Sequence, residues 1–380
     1  MKVLLLDTAF AAAPIFNYLR DAGHEVWVMG NRPDDLLAKK AEARWIDQDY
    51  SDTERVARII KALGIERVVP GCTDVSIETC LSLGLNQYLV DSPATNHTLS
   101  NKGAFRKLCA QLDLPAPRTI AKEAFPKIGR FICKPVDAFS GRGITVFNGE
   151  NPQELETACA IARKGSPTSS ILIETFANGD LYSCSGFVVD RRLTDVFYVL
   201  EGSSANPFAV DTSYVVHDLP VSCTRELEMG LEKLCSALQL KDGLLHTQFI
   251  IEGGRPSIVE VARRCPGDLY SLLVEYSTGF EYAAHYASFF IGAEHRSATT
   301  ERRHVLRHTV TSEDRSIYEG LRFVEPRPIR AFFSLQRVGQ ELLARQGNRA
   351  GILFTESPTH EQLCLDYQRC LDRTFYDVAW

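Results

Sequence analysis

GRFICKPVDAFSGRGITVF, residues 129–147, is the stretch on which the reading of this chain turns. Phe131, Ile132 and Cys133 have the look of a buried strand, Lys134 is a point charge at its end, and Pro135, with no N–H to donate, stops the ladder. A loop holding Ser140, Gly141, Arg142 and Gly143 follows at once. Without a Cβ, Gly141 and Gly143 let the backbone approach an anion closely, and successive N–H groups can cradle phosphate oxygens. Taken alone, the loop reads equally well as an ordinary hairpin.

A second constellation, LLHTQFIIEGGRPSIVEVARRCPGD at 244–268, reads as a β-hairpin with its connection at Glu252-Gly-Gly-Arg-Pro256. A register centred on Gly254 sets Gln248 opposite Glu260 and His246 opposite Ala262, with Phe249 against Val259 and Thr247 against Val261 on the other side. Strand alternation then puts Glu260, Ala262 and Arg264 on one face, and opposed pairs have Cβ atoms about 5 Å apart. Two oxygen ligands that close can share one Mg²⁺. A solvated Glu260–Arg264 pair, worth about 0–1 kcal/mol, is the competing explanation, and the hairpin alone does not separate the two.

Together these segments resemble the ATP-grasp superfamily over most of the chain and in the expected order. The resemblance implies an N-terminal α/β domain followed by two α+β lobes that clamp ATP. LSNKGAFRKLCAQLDLPAPRT at 99–119 resembles the opening helix, with Lys102 at its start, and Lys134 matches the second phosphate lysine. Ser140, Gly141, Arg142 and Gly143 match the mobile lid. SSILIETFANGDLYSCSGF at 169–187 matches the adenine-side hinge with Glu174, Thr175 and Phe176. The magnesium carboxylate and the catalytic arginine fall on Glu260 and Arg264, and Arg142 is expected to follow the transferring phosphoryl group.

The departures are as specific as the matches. Where many members read Glu-Val-Asn-Pro-Arg, this chain reads Glu260-Val-Ala-Arg-Arg264, so Ala262 and Arg263 replace an asparagine ligand and a proline. Gln248 stands at the other metal position in place of the commoner glutamate, as in carbamoyl-phosphate synthetase large subunits. After the hinge comes Gly179-Asp180-Leu181, which leaves Asp180 as the nearest acid for the ribose. The hydroxyl-rich segment 203–217 offers Tyr214 and His217 as substrate contacts, and His246 is a third candidate; a structural loop and a satisfied sheet histidine are the alternatives.

The rest of the chain fits an intracellular enzyme. Its 380 residues, 45% of them hydrophobic, suffice for several cores, and a net charge of −6 argues against a nucleic-acid binder that works by bulk positive field. No signal-peptide pattern and no apolar run of about 20 residues occurs, so cytoplasm without membrane attachment is expected. The eleven cysteines include no Cys-x-x-Cys and read mostly as small buried side chains, although Cys133 and Cys265 adjoin the cations Lys134 and Arg264. Apolar runs at Val3–Leu6, Val26–Met29 and Arg67–Pro70, separated by helical stretches, predict a doubly wound parallel α/β domain over 1–95. Neither a G-x-G-x-x-G nor a P-loop motif is present. The expected divisions are 1–95, a first lobe 96–185, a second lobe 186–300 and a C-terminal subdomain 301–380.

The resemblance implies an ATP- and Mg²⁺-dependent ligase that phosphorylates a small-molecule carboxylate and passes the acyl group to an amine, releasing ADP and phosphate. Two other readings stay open: a carbamoyl-phosphate-synthetase-like kinase or carboxylase, on Gln248, and a nucleotide-binding regulatory protein that has lost its chemistry, on Ala262. The motifs do not encode an oligomeric state; the homodimer is the commonest homo-oligomer.

Overall fold

In the computed structural model, which describes residues 1–85, 89–138 and 141–379, the first 70 residues form a parallel sheet. Its order is Trp45–Ile46, Glu25–Met29, Lys2–Leu6, Arg67–Pro70. The apolar runs give its strands, extended by one residue each at Lys2 and Glu25, while the two-residue edge strand at Trp45 is too short to announce itself by periodicity. Strand order reverses between Lys2–Leu6 and Arg67–Pro70, the place where open α/β sheets leave a crevice. There the buried Asp7 carboxylate accepts from the N–H groups of Ala9 (2.8 Å) and Cys72 (3.0 Å). Gly71 faces it so closely that a Cβ would stand 2.2 Å from that of Asp7.

The small lobe is a three-stranded antiparallel sheet, Thr145–Asn148, Arg130–Pro135, Ile171–Thr175, backed by the helix Pro152–Gly165 through Leu155, Ala158, Cys159 and Ala162. Asn151 caps that helix, and Pro152 at its first turn lacks only an N–H that would have no partner there. The chain then changes sheets at 176–179. The strand Asp180–Val189 runs through 185/186, where the sequence reading put a boundary, and belongs wholly to the larger sheet.

That larger sheet has eight antiparallel strands: Arg255–Ala262, Gly243–Glu252, Asp180–Val189, Arg192–Gly202, Thr212–Val216, His304–Val310, Gly351–Ser357 and Ile329–Ser334. Residues after 301 therefore add strands to the second lobe's sheet and do not form a separate layer. On one face Phe187, Val199, Val215 and Phe354 pack against the helices Tyr270–Thr278 and Tyr282–Ile291, which in turn carry the N-terminal domain. The opposite face is covered by Val221–Leu238 and, towards the C-terminal end, by His360–Leu371. The helix Lys102–Gln111 also joins that face: Phe105 and Cys109 meet Leu231, Ile258 and Val261, so it packs on the large sheet, not the small one. Among the described residues no helix is long and apolar enough to cross a membrane.

Arg263, the residue in place of a proline, is a brace. Its Nε donates to Asp91 Oδ2 at 2.7 Å, Nη1 to the Leu244 carbonyl at 2.7 Å and Nη2 to that of Lys241 at 2.5 Å. Both members of the ion pair are buried. Arg263→Ala strands the Asp91 charge and is expected to cost about 3–5 kcal/mol in urea unfolding; a loss below about 1 kcal/mol would show that the brace is dispensable.

Candidate active site

Lys134, one residue before the end of its strand, is buried opposite Leu172, and its Nζ reaches diagonally along the neighbouring strand to within 2.5 Å of Glu174 Oε2. The other oxygen of Glu174 accepts from Arg106 Nε at 2.5 Å, and Arg106 Nη2 reaches the Val259 carbonyl at 2.6 Å. One carboxylate against two cations leaves a buried positive excess, and Arg106 Nη1 has no hydrogen-bond partner among the described residues. Burial lowers the Lys134 pKa, opposed by the neighbouring Glu174 charge. Such a cluster fits an anion with several negative oxygens. Glu174, expected at the adenine hinge, thus spends its carboxylate on Lys134 and Arg106. The backbone N–H groups of Thr175 and Phe176 are also engaged, by the carbonyls of Arg118 and Arg130, and Arg130 lies over the Phe176 ring at 4.6 Å.

Lys102 is the first residue of its helix, capped by Asn101, and its Nζ donates to the Ala138 carbonyl at 2.8 Å, at the entry to the glycine-rich loop. Gly141 and Gly143 both have left-handed φ, 72° and 73°, which glycine adopts at no steric cost. A Cβ on Gly141 would come 2.7 Å from the Phe208 carbonyl oxygen, so the loop packs against the hydroxyl-rich segment of the other lobe. Arg142 between them is exposed. Ser140 lies outside the described residues.

In the hairpin, Gln248 pairs with Glu260, His246 with Ala262 and Thr247 with Val261, as the sequence predicts. Phe249 instead pairs with Ile258. The turn is the tighter Gly253-Gly254, both at positive φ, which shifts the register by one residue; an irregularity just past Gln248 shifts it back. The polar register is therefore right although the turn is not the one expected. Arg264 pairs with Asp74 of the N-terminal domain, Nε to Oδ1 at 2.8 Å, so the hairpin's end is latched to the first domain. Burial opposes its charge, but Asp74 holds the guanidinium's pKa above its usual value. The Glu260 side chain is exposed and makes no hydrogen bond or ion pair to any described residue.

Glu201 went unnoticed in the sequence. It is buried on the strand Arg192–Gly202, and its Oε2 accepts from Gln248 Nε2 at 2.7 Å. With the amide nitrogen so engaged, the amide oxygen of Gln248 is left for a ligand beside Glu260. Two hard oxygens suit Mg²⁺ completed by water and phosphate. Among the described residues no cluster of three or more His, Cys, Asp or Glu forms a metal cage. An isolated charge in the run Tyr198-Val-Leu-Glu201 was the available signal.

The remaining candidates divide. His246 lies in the site, buried, with Nδ1 2.8 Å from Ser185 Oγ. Tyr214 does not: Ser213 shares a face with Glu201, so alternation sends Tyr214 to the opposite side, against Leu306, Tyr367 and His360. His217, half-buried beyond the end of that strand, feels the charges of Arg302 and Asp218 and, less, of His304 and His360. Asp180 is exposed at the start of its strand. Ten cysteines are buried, and burial together with Cys159 pushes the Cys133 thiol up to about 12, so Lys134 does not activate it.

No protein-family model matches the sequence. Solved structures do match the fold. The L-amino acid ligase of Bacillus licheniformis superposes with a TM-score of 0.79 at 18% identity, covering 98% of this chain and 97% of that one. The phosphoribosylglycinamide synthetase of Anaerococcus prevotii does so with a TM-score of 0.77 at 14% identity, over 99% and 98%. The biotin carboxylase domain of the 2-oxoglutarate carboxylase of Hydrogenobacter thermophilus, solved with MgADP, ADP and bicarbonate, gives 0.76 at 15% identity, over 100% and 90%. The chain has the ATP-grasp fold. Within an ATP-grasp frame, the cationic cluster at Lys134 lies in the small lobe and the Gln248–Glu260 pair on the large sheet, joined through Arg106.

Burial lowers the pKa of His246 to about 3, helped by the Arg264 charge, and that of His308 to about 4. Both folded values lie below the ordinary 6.5, so the unfolded chain takes up protons that the fold refuses. Stability is full above pH 6.5 and falls as pH drops towards 3. For each histidine the loss between about pH 7.5 and pH 5 is about 2 kcal/mol. His246→Asn should remove its share from the difference between urea unfolding at those two pH values; an unchanged difference would mean that His246 is not held neutral.

Proposed function

We propose that this protein is an ATP-dependent ligase that joins a small-molecule carboxylate to an amine in the cytoplasm. The observation that carries the reading is the opposition of Gln248 and Glu260 on the sheet face that leads to Arg264, with the amide of Gln248 held by Glu201. Lys134, Arg106 and Lys102 would bind the phosphates, Thr175 and Phe176 the adenine side, and Asp180 the ribose. Glu260 and the oxygen of Gln248 would hold Mg²⁺. Bound Mg-ATP would supply the phosphoryl group that converts a carboxylate into an acyl phosphate, from which an amine displaces phosphate. Arg264 would orient that carboxylate and then stabilise the charge that develops as the amine attacks, while the loop 140–143, with Arg142, closes water out. Ligases and a carboxylase both occur among the solved structures of this fold, and Gln248 keeps bicarbonate as a second acceptor of phosphate.

ADP release with Mg-ATP, measured over a matrix of carboxylic acids and amines with a bicarbonate arm, tests the reading. Turnover that needs one acid and one amine supports ligation; turnover with bicarbonate alone replaces it by the carboxylase reading. Arg264→Ala should lower that turnover by about 10²-fold or more with ATP binding retained, because its action falls on the transition state. Lys134→Met should weaken ATP binding itself. Normal turnover in Arg264→Ala would remove the assigned role.

A further inference from the structure

Among the described residues three arginines are buried: Arg106, Arg263 and Arg307. Arg106 sits on Glu174 and Arg263 on Asp91. Arg307, at 3% exposure the most buried of the three, has no carboxylate within ion-pair distance among the described residues. Its Nε donates to Ser213 Oγ at 3.0 Å and its Nη1 to the Asp268 carbonyl at 3.1 Å; Nη2 has no hydrogen-bond partner among the described residues. The nearest charge that acts on it is that of Glu201, across Ser213, whose carboxylate is already bonded to Gln248 and does not reach ion-pair distance. A guanidinium removed from water without a directly bonded counter-charge is costly, and the usual remedy is an anion.

Its position says which anion. Ser213 lies opposite Glu201 on one side and Arg307 on the other, so Glu201, Ser213 and Arg307 form one row on the face that also bears Gln248 and Glu260. The carbonyl that Arg307 holds belongs to Asp268, in the loop that follows Arg264, so the two guanidiniums flank one short segment. Arg264 is the group assigned to the reacting carboxylate. The amine has no anchor yet.

We propose that Arg307 binds a carboxylate that does not react, carried by the amine substrate, so that the acceptor is an amino acid and the product an amide with a free carboxylate. The proposal rests on the ligase reading above for which substrate reacts, but not for the existence of the anion subsite. A site built to hydrogen-bond an ionic group discriminates strongly against an analogue lacking it, because the buried partner is left unpaired.

Calorimetric titration of the Mg-ADP-loaded protein with the standard amino acids, each as free acid and as α-carboxamide, tests it. At least one amino acid should bind about tenfold or more tightly than its amide. Arg307→Met should erase that preference, Arg307→Lys should restore part of it, and Arg264→Ala should leave it in place, with ADP affinity unchanged throughout as the check on folding. Absence of any preference for the free acid, or its survival in Arg307→Met, overturns the proposal; should the Met variant fail to fold, an unchanged preference in Arg307→Lys does the same. The two readings fail separately. An Arg307-dependent preference without ADP release on any acid would reject the ligase and keep the subsite. Equal ADP release with amines lacking a carboxylate, indifferent to Arg307→Met, would reject the subsite and keep the ligase.

Discussion

A carboxylate buried between two cations fixes how the strand that carries Lys134 meets the hairpin that carries Gln248 and Glu260. Glu174 holds Lys134 within the small lobe and Arg106 on the helix that packs against the large sheet, and Arg106 continues to the backbone of Val259, next to Glu260. Stripping one partner from such a cluster costs about 3–5 kcal/mol, so the three elements are not free to adjust independently. Lys102 lies four residues before Arg106 on the same helical face, one turn away, and so brings a third cation to the same place. The helix does two things with one turn of sequence: Phe105 and Cys109 bury it, and Lys102 and Arg106 charge the adjoining strip of its surface.

This division of labour explains what the sequence conveyed. Lys102 and Lys134 stand at element ends, where a charge after an apolar run has few structural excuses. The hairpin was legible because alternation constrains every second residue: once Gln248 and Glu260 are opposed, a tighter turn and an irregularity can cancel without disturbing them. The parallel N-terminal sheet followed from its apolar runs. Tyr214 shows the limit. Its hydroxyl-rich neighbourhood suggested a substrate contact, but a shift of one residue changes the face, and nothing local said whether Ser213 or Tyr214 looks into the cleft.

Glu201, Arg263 and Arg307 were beyond local reading for a different reason. Each is a single charge inside an apolar strand or beside a recognised motif, and its partner is fixed only by pairings between segments far apart in the chain. Thr212–Val216 pairs with a strand some ninety residues later, and that pairing alone sets Arg307 in line with Glu201. Arg263 finds Asp91 172 residues away. A lone charge in a run such as Val305-Leu-Arg307-His-Thr-Val310 signals that something must compensate it, but not what. The domain divisions suffered likewise, because a sheet that recruits strands on both sides of 300 leaves no compositional seam.

The two substitutions at the metal hairpin have a joint electrostatic consequence. Gln248 contributes an oxygen without a charge, and Ala262 contributes nothing, so Glu260 alone opposes a divalent cation there. Glu201 does not face that position directly: its carboxylate is bonded to Gln248, and burial raises its pKa against the bonds from Ser183 and Gln248 and the charge of Arg307. Two oxygens with one full negative charge hold free Mg²⁺ weakly, because the ion gives up its water reluctantly and needs octahedral company. The phosphates of a bound nucleotide supply both the missing charge and the missing oxygens. On the proposed reading, the Gln248–Glu260 pair and the buried cations at Lys134 would be complementary halves of one site: the cations would hold the nucleotide, and the nucleotide would hold the metal against Glu260.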